Sequence, residues 1–564
     1  MAGGKQVELT GVGWANIKPI KLELTEVVTL LNCSRMFAES AWSRKAIGDV
    51  DVVFHEGLYH LFHLVLPNHD FVAHAISDNG LNWRRVDNAI FIGHPGSWDD
   101  LMLWTMHVSA NPHGPGWRMF YTGLSRRDQG LKQRIGVATS DDLYVWHKTA
   151  VNWEDRRGAN DPQLVKEARA KLPRLLSNSL QSPISQESCF PLEPDPEFYE
   201  FDLDGPRNWI SFRDPFYLND DGRGLLLVAA RTKDGPLVRR GCVALMEEHS
   251  PYHFIAKPPL HAPQLYDDIE VPNLIKLNNE YYLIGSQRED AKIRYWHTRD
   301  LEQPWRNYYD NVLLPQGNYA GRVCRDEGGI LLWNFFTEVA HERTTNNIMP
   351  PPKRLQVCGD GQLKAVTFEQ LTQRAHGSVD TRCVRLLKEK SEHISQRCQT
   401  DRSTLQLGSE AGSQSFVFEE TVGSFCMSAT LTMQGLGKCG LVSRVDGNSH
   451  DGYYISLDML KGLAQMRSWG TGPLRSGEEM MQFNALQTGT WYDPDPREIA
   501  IQLLAFGSYH ELSVNGSIVL SLVHDRFTHG LLGFYVETAD LLIEHLKVDK
   551  LAPPTQSDEH LTTG

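Results

Sequence analysis

Three acidic residues stand at the beginning of three separate strand-like segments. Asp49 lies in GDVDV (48–52), Asp214 in FRDPFY (212–217) and Glu270 in DIEVPN (268–273). Each precedes a run with the two-residue alternation of a β-strand. One acid before a strand is often only a turn or cap residue. Three acids at corresponding places in different repeats predict a shared pocket.

Three carboxylates in one pocket suit the cleavage of a glycosidic bond. One carboxyl protonates the leaving oxygen, and a second attacks the anomeric carbon or activates water. A third can hold sugar hydroxyls and, by like-charge repulsion, raise the pKa of the acid. Arg213 is adjacent to Asp214 in sequence and is expected to keep it ionised.

The elements that must position these acids form a repeat. The segment 48–83 is interpreted as one four-stranded unit, and 116–146 matches it, with SDDLYVW (140–146) parallel to SDNGLNW (77–83). The Ser-Asp steps indicate turns, and the Trp of each copy is expected to fill the space between units. Further units follow at 225–254, 280–305 and 329–355. Five such repeats predict a closed ring, because an open stack would leave sheet edges exposed.

The predicted fold class is therefore all-β, a five-bladed β-propeller followed by a C-terminal β-sandwich. The propeller is placed at 1–372, with lead-in strands and an insertion near 152–208 that contains one helix at 161–172. A helical linker is predicted at 373–407. The sandwich, of the concanavalin A-like type, is placed at 408–550 and a disordered tail at 551–564.

The composition argues against several classes of partner. The chain has 56 Lys and Arg against 70 Asp and Glu, a net charge of −14, whereas nucleic acid and anionic membranes need a basic surface. No apolar run approaches the ~20 residues of a membrane span. The beginning MAGGKQVEL lacks a secretory hydrophobic segment, so a cytoplasmic location is expected. With neither C-x-x-C nor H-E-x-x-H present, no metal or cofactor is predicted.

The three acidic motifs resemble those of the five-bladed glycosidases, glycoside hydrolase families 32, 43 and 68. Family 32 fits best, because its members follow the propeller with a β-sandwich, and GYYISLD (452–458) and LLGFYV (531–536) are similar to parts of that module. The resemblance implies that Asp49 is the nucleophile of a retaining double displacement and Glu270 the general acid/base. Asp214 would hold ring hydroxyls and stabilise the transition state.

The same resemblance extends to GSWDD (96–100) and to the segments around positions 104 and 121. It implies a set of residues that bind the sugar substrate: Trp98, Asp99, Trp104, Tyr121 and Arg213.

Two motifs depart from the family 32 pattern. Its first motif usually reads Asn-Asp-Pro-Asn-Gly, whereas GDVDV is closer to the Asp-Pro-Asp form of family 43, and Val271 replaces a usual Cys. The predicted activity is an exo-acting β-fructofuranosidase on sucrose or fructo-oligosaccharides. An inverting arabinofuranosidase-like enzyme with Asp49 as general base, a fructosyltransferase and a non-catalytic carbohydrate-binding propeller stay open as alternatives. An oligosaccharide is the expected partner.

Overall fold

The structure is a computed structural model that describes residues 46–149, 190–308, 310–337, 347–388, 396–400, 404–471, 481–493 and 497–554. The predicted lead-in strands before residue 46 and the predicted helix at 161–172 lie outside the described residues. So does most of the predicted tail.

Five small antiparallel sheets make up the first part of the chain, and in each sheet the strands follow one another in chain order. Blade 1 contains β1 (Ala46–His55), β2 (Leu58–Leu66), β3 (Phe71–Ser77), β4 (Arg84–Arg85) and β5 (Ile90–Phe91). Blade 2 contains β6 (Met102–Ala110), β7 (Trp117–Leu124), β8 (Arg134–Ser140) and β9 (His147–Lys148). Blade 3 contains β10 (Phe212–Asp220), β11 (Arg223–Arg231), β12 (Gly241–Ser250) and β13 (His253–His261). Blade 4 contains β14 (Glu270–Leu277), β15 (Glu280–Gln287), β16 (Lys292–Thr298) and β17 (Val312–Leu314). Blade 5 contains β18 (Asn318–Asp326), β19 (Gly329–Phe336), β20 (Lys353–Val357) and β21 (Leu363–Thr367).

The first strands of the five blades form a closed ring. β1 lies against β6, β6 against β10, β10 against β14 and β14 against β18, and β18 returns to β1. The first strands are therefore the inner strands, and the predicted five-bladed propeller is confirmed. Closure removes the sheet edges that an open stack would expose.

The turns that end the first two blades have the same construction. Asn79 Oδ1 accepts hydrogen bonds from the backbone N–H of Leu81 and Asn82, and Asp142 Oδ1 accepts the equivalent pair from residues 144 and 145. Each turn then leads to a buried tryptophan. Trp83 packs on Trp333 of blade 5, with ring centroids 5.6 Å apart, so it fills a space between blades as the sequence predicts.

Every inner strand is interrupted by a β-bulge near its beginning. The register breaks fall between Ile47 and Val50, Trp104 and Met106, Arg213 and Phe216, Glu270 and Asn273, and Tyr319 and Arg322. A bulge bends its strand and changes the direction of its side chains. Five bulges at one level of the ring therefore define one end of the channel, where side chains from all blades converge.

The three acids lie at this level but not at one equivalent position, which corrects the prediction. Glu270 is the paired residue directly before its bulge. Asp214 is the first unpaired residue of its own bulge, and Asp49 is the second. The position of the acid relative to the bulge therefore differs between blades 1, 3 and 4.

The C-terminal domain follows a single helical turn, α1 (Glu369–Thr372), and is one large antiparallel sheet folded into a sandwich-like body. Its first strands are β22 (Ala375–Ser378), β23 (Val384–Leu386), β24 (Gln396–Thr400), β25 (Thr404–Val422), β26 (Phe425–Gln434), β27 (Lys438–Val445) and β28 (Gly452–Asp458). The remaining strands are β29 (Leu463–Thr471), β30 (Met481–Thr490), β31 (Glu498–Phe506), β32 (Tyr509–Val514), β33 (Ser517–Val523) and β34 (Gly530–Leu551). β34 pairs with β25 along its length and with β27 and then β26 on its other side.

The predicted linker helix at 373–407 is wrong, because its described residues form strands. Val384 pairs with Phe418 and Leu386 with Phe416 in the C-terminal sheet. The exposed Arg385 lies between these two apolar residues, which is the two-residue period of a strand. The sheet of the C-terminal domain therefore begins at Ala375.

The two domains share a buried interface at blade 5. One apolar core extends from blades 1 and 5 into the C-terminal sheet and includes Trp333, Phe368 and Phe506. Beside it, the side chain of Asn318 at the start of β18 donates a hydrogen bond of 2.7 Å to the Ser521 carbonyl oxygen of β33. The C-terminal domain is thus bonded to an inner strand of the propeller.

Candidate active site

The structure brings Asp49, Asp214 and Glu270 together at the bulged end of the channel. They come from the inner strands β1, β10 and β14 of blades 1, 3 and 4. The negative charges of Asp214 and Glu270 both raise the pKa of Asp49. The three carboxyls therefore share one electrostatic environment, and their protonation is coupled.

Asp49 is held by a threonine from the neighbouring blade. Thr105, the bulged residue of β6, donates its hydroxyl to Asp49 Oδ2. Burial and the charges of Asp214 and Glu270 outweigh this bond and raise the pKa of Asp49 to about 7. Asp49 is therefore protonated over much of the acidic range.

Asp214 occupies a left-handed backbone conformation with φ of 59°, which aspartate tolerates better than most residues. Its backbone N–H donates to Thr122 Oγ1 at 3.1 Å, and its Oδ2 accepts from the Val271 N–H at 3.1 Å. Arg213 Nε lies 3.6 Å from Oδ2. Arg213 lowers the pKa of Asp214, as the sequence predicts, but burial and the charge of Glu270 outweigh it and raise the pKa.

Glu270 is surrounded by hydrogen-bond donors. Its Oε1 accepts from Arg213 Nη2 at 2.6 Å and from Arg288 Nη2 at 2.5 Å, and its Oε2 accepts from the Tyr319 hydroxyl. Burial alone would raise the pKa of Glu270, but Arg213, Arg288 and Tyr319 outweigh it and lower the pKa. The predicted net upward shift from a neighbouring carboxylate is therefore wrong.

Protons of the cluster consequently bind to Asp49 and Asp214 in preference to Glu270. The pKa of Asp49 is raised and that of Glu270 is lowered. A retaining glycosidase needs the reverse, an ionised nucleophile and a protonated acid. The roles that the resemblance implies for Asp49 and Glu270 therefore require a change in the environment of at least one of these carboxyls.

Arg213 is fixed in place by a second layer of polar side chains. Its guanidinium donates to Ser211 Oγ and lies 3.3 Å from Asp268 Oδ2. Asp268 in turn pairs with the buried Arg231 at 2.8 Å. Arg213 is only 3% exposed, so its contact with Glu270 belongs to the framework of the site.

A buried arginine further along the channel supports the bulges that carry the acids. Arg322 of β18 donates to the carbonyl oxygens of Pro215 and Pro272, each at 2.8 Å. These prolines directly follow Asp214 and Val271. Arg322 Nε also lies 3.8 Å from Asp51 Oδ1. One side chain of blade 5 thus braces the backbone of blades 3 and 4.

The residues predicted to bind substrate fall into two places. Trp104 immediately precedes the bulge of β6, the register position that Glu270 and Tyr319 hold in their own strands. In the part of the chain that the structure describes, its indole Nε1 is buried without a hydrogen-bond partner. Trp104 therefore belongs to the bulged end of the channel and has a donor to offer.

Trp98, Asp99 and Tyr121 form a separate cluster inside blade 2. Trp98 stacks on Tyr121 with ring centroids 5.6 Å apart, and the Tyr121 hydroxyl donates to Asp99 Oδ2 at 3.0 Å. Lys148 Nζ also donates to this oxygen, at 2.6 Å. These contacts give all three residues a structural role, and their predicted part in sugar binding stays a prediction.

Sequence reasoning assigned no role to five residues that contact the acids or their backbone: Thr105, Thr122, Arg288, Tyr319 and Arg322. Tyr319 could have been found by aligning the five inner strands, because it stands before the bulge of β18 as Glu270 stands before that of β14. Arg288 directly follows the last residue of β15, and no local pattern distinguishes it.

Among the described residues, no group of His, Cys, Asp and Glu is arranged to hold a metal ion. A helix of the length and apolar character needed to cross a membrane is likewise absent from them.

Comparison with known proteins identifies solved structures with a similar fold. No protein-family model matches the chain, and no curated protein matches its sequence. The structure is similar to sucrose-6-phosphate hydrolase from Lactobacillus gasseri, with 14% identity, TM-score 0.61, and coverage of 94% of this chain and 95% of that one. It is also similar to fructan 1-exohydrolase IIa from Cichorium intybus, with 15% identity, TM-score 0.60, and coverage of 93% and 98%. For exo-inulinase from Aspergillus awamori the identity is 14%, the TM-score 0.59, and the coverage 93% and 98%.

The class that the fold defines is a five-bladed β-propeller joined to a C-terminal β-sheet domain. Within this class, the structural neighbours are fructosidases and invertases of glycoside hydrolase family 32. The family 32-like fold predicted from the three acidic motifs is therefore confirmed.

Proposed function

We propose that the protein is a retaining, exo-acting β-fructofuranosidase that removes a terminal fructose from sucrose or fructo-oligosaccharides. The observation that carries this proposal is the meeting of Asp49, Asp214 and Glu270 at one end of a five-bladed ring. Structural neighbours solved in complex with 1-kestose and with sucrose support an oligosaccharide as the substrate. A cytoplasmic location, with sugars imported by the cell, is part of the proposal.

The three acids have distinct roles in this reaction. Ionised Asp49 attacks the anomeric carbon, and the bond to the leaving oxygen breaks as Glu270 protonates that oxygen. Glu270 then takes a proton from the water that releases the sugar. Asp214, held by the Val271 N–H, faces the ring hydroxyls and stabilises the positive charge that develops on the ring. Trp104 offers its unpaired indole N–H to the same sugar.

The test is hydrolysis of a substrate panel by wild type and Glu270→Gln. The panel contains sucrose, inulin-type and levan-type oligosaccharides, aryl arabinofuranosides and aryl xylosides. Fructose release that falls about 10²–10⁴-fold in Glu270→Gln, the range for loss of a general acid, supports the proposal. Glu247→Gln is the matched control, because Glu247 pairs with the exposed Arg223 in blade 3 and its loss should leave the rate unchanged. A panel without any hydrolysis would favour a non-catalytic carbohydrate-binding propeller.

An inverting arabinofuranosidase-like reaction is the second candidate, and the environment of Asp49 favours it. A carboxyl with a pKa raised to about 7 suits a general base that activates water near neutral pH. The anomeric configuration of the first product, read by NMR, separates the candidates. Retention with fructose as the product supports the first, and inversion with arabinose as the product supports the second. Fructose transfer to an added sugar would identify a fructosyltransferase.

A further inference from the structure

The present partners of Glu270 oppose the protonation that a general acid requires. Arg213 and Arg288 both donate to Oε1, and Tyr319 donates to Oε2. A tyrosine hydroxyl can turn from donor to acceptor, but a guanidinium can only donate. While both arginines stay, Oε1 therefore has no room for a proton, and a proton can bind only at Oε2 beside Tyr319.

The two arginines differ in their freedom to withdraw. The side chain of Arg213 is 3% exposed and is bonded to Ser211 and Asp268. The side chain of Arg288 is 53% exposed, and its guanidinium lies 5.9 Å from the Trp209 ring. Arg288 is thus the partner that an incoming ligand can reach from solvent.

We propose that Arg288 leaves Glu270 when substrate binds and turns to the leaving group of that substrate. The inference rests on the proposed function. A guanidinium presents five N–H donors in a planar fork, which can bind two oxygens of a leaving sugar at once. Arg288 is then a positioning residue that donates to Glu270 before substrate binds and releases it afterwards.

The withdrawal of Arg288 also favours the protonation of Glu270 that catalysis requires. Arg288 is one of the charges that lower the pKa of Glu270, so its departure raises that pKa. The proton held by Asp49 can then pass to Glu270, which leaves Asp49 ionised as the nucleophile with no net gain or loss of protons. The charged and titratable groups around this transfer are Asp49, Asp214, Asp268, Arg213, Arg288, Tyr319 and Arg322.

The pH dependence of the two rate constants tests this step. kcat/KM reports the free enzyme and kcat reports the complex. The lower limb of the kcat/KM profile, its fall toward acid pH, marks the addition of a further proton to the coupled cluster of Asp49, Asp214 and Glu270 in the free enzyme. In Arg288→Gln the pKa of Glu270 is higher, and the lower limb of kcat/KM moves to higher pH. The lower limb of kcat stays in place, because Arg288 has already left in the complex.

Two further measurements complete the kinetic test. KM of Arg288→Gln should rise about tenfold, as expected when a charge-assisted hydrogen bond to the leaving group is lost. Arg223→Gln is the matched control, because the side chain of Arg223 is 55% exposed and pairs with Glu247 away from the acids. Equal shifts of both lower limbs in Arg288→Gln, or no shift in either, would overturn the inference.

Proton uptake on binding gives a readout that does not depend on turnover. Calorimetry with the leaving-group sugar, glucose when sucrose is the substrate, is run in two buffers of different ionisation enthalpy. At the pH of the lower limb of kcat/KM, wild type should take up protons on binding and Arg288→Gln should take up fewer. If the substrate is hydrolysed but wild type and Arg288→Gln take up equal numbers of protons, the inference is overturned and the proposed function is not. A panel without hydrolysis overturns the proposed function, and the inference with it.

Discussion

Thr105 is the hydrogen-bond donor that opposes protonation of Asp49. Its hydroxyl donates to Asp49 Oδ2 and favours the ionised form. This bond crosses from blade 2 to blade 1, so a residue without ionisable chemistry contributes to the pKa of the proposed nucleophile. The effect can be measured separately from those of the acids themselves.

Replacing Thr105 by Val should hold the proton more firmly on Asp49. Loss of a hydrogen bond to a charged group corresponds to about one pH unit or more. The upper limb of kcat/KM, set by the Asp49 proton with its pKa of about 7, should therefore move to higher pH. Maximal kcat/KM should fall about tenfold, because the form with Asp49 ionised and Glu270 protonated becomes rarer. Thr105→Ser keeps the hydroxyl and should resemble wild type. An unchanged limb in Thr105→Val would contradict this account.

Tyr319 and Arg288 should have different pH signatures although both donate to Glu270. The Tyr319 hydrogen bond lowers the pKa of Glu270, so Tyr319→Phe raises it. Tyr319 is expected to stay on Glu270 in the complex. The lower limbs of kcat and kcat/KM should therefore both move to higher pH, whereas Arg288→Gln moves only the latter. A Tyr319→Phe profile that matches wild type would show that this contact does not persist in solution.

At the scale of the element, the β-bulge is the feature that makes the site. Each inner strand has one at the same level of the ring, and the bulged residues Asp214, Val271 and Ala320 all have positive φ. Such conformations cost roughly 1–3 kcal/mol each in non-glycine residues and persist where the surroundings enforce them. Arg322 enforces two of them through the carbonyls of Pro215 and Pro272.

Arg322→Lys should therefore weaken both the fold and the site. Lysine keeps the charge but has a compact ammonium group in place of the fork that reaches two carbonyls. Leaving one buried carbonyl unpaired costs about 1–3 kcal/mol, seen as a lower midpoint of chemical unfolding. kcat should fall as well, because the bulges that carry Asp214 and precede Asn273 lose their brace. Arg325→Lys, at an exposed position of β18, is the control. Equal stability and activity of the two variants would contradict the bracing role.

At the scale of the whole molecule, the C-terminal domain extends the support of the acid. Asn318 Nδ2 donates to the Ser521 carbonyl oxygen, and Asn318 Oδ1 accepts from Asn334 Nδ2 at 3.1 Å. Asn334 Oδ1 in turn accepts from the buried Lys353 Nζ at 3.1 Å. Tyr319, the next residue along β18, donates to Glu270. A buried polar network at the domain interface thus ends one residue from a contact with Glu270, the proposed catalytic acid.

Cutting this network at Asn318 should affect stability and catalysis together. Asn318→Ala removes the hydrogen bonds to the Ser521 carbonyl and from Asn334 Nδ2, at a cost of about 0.5–1.5 kcal/mol for each bond, and should lower the thermal midpoint and kcat. Thr490→Val removes another bond between the domains, the exposed one from Thr490 Oγ1 to Asp310 at 3.0 Å. Exposed changes of this kind are usually within about 0.5 kcal/mol. If Asn318→Ala lost stability with an unchanged kcat, the C-terminal domain would have no part in positioning Tyr319.

The features that the sequence revealed by itself are those encoded locally. Strand alternation, the two Ser-Asp turns and the positions of Asp49, Asp214 and Glu270 are each encoded within a few residues. Together they were enough to predict the five blades and the three acids of the site. The misread stretch at 373–407 shows the limit, because Val384 and Leu386 become strand residues only through pairing with Phe416 and Phe418.

The pKa values of the acids and the hydrogen bonds that they accept depend on the tertiary structure. A pKa depends on burial and on charges at a few ångströms. The groups that set the pKa values of Asp49 and Glu270 come from other blades or, for Arg288, from the end of the neighbouring strand in the same blade. Thr105, Arg288 and Tyr319 are 56, 18 and 49 residues away from the acids they contact. No local pattern in the chain specifies such distances. For this reason the sequence indicated which carboxyls meet, whereas only the folded ring determined that the pKa of Asp49 is raised and that two arginines donate to Glu270.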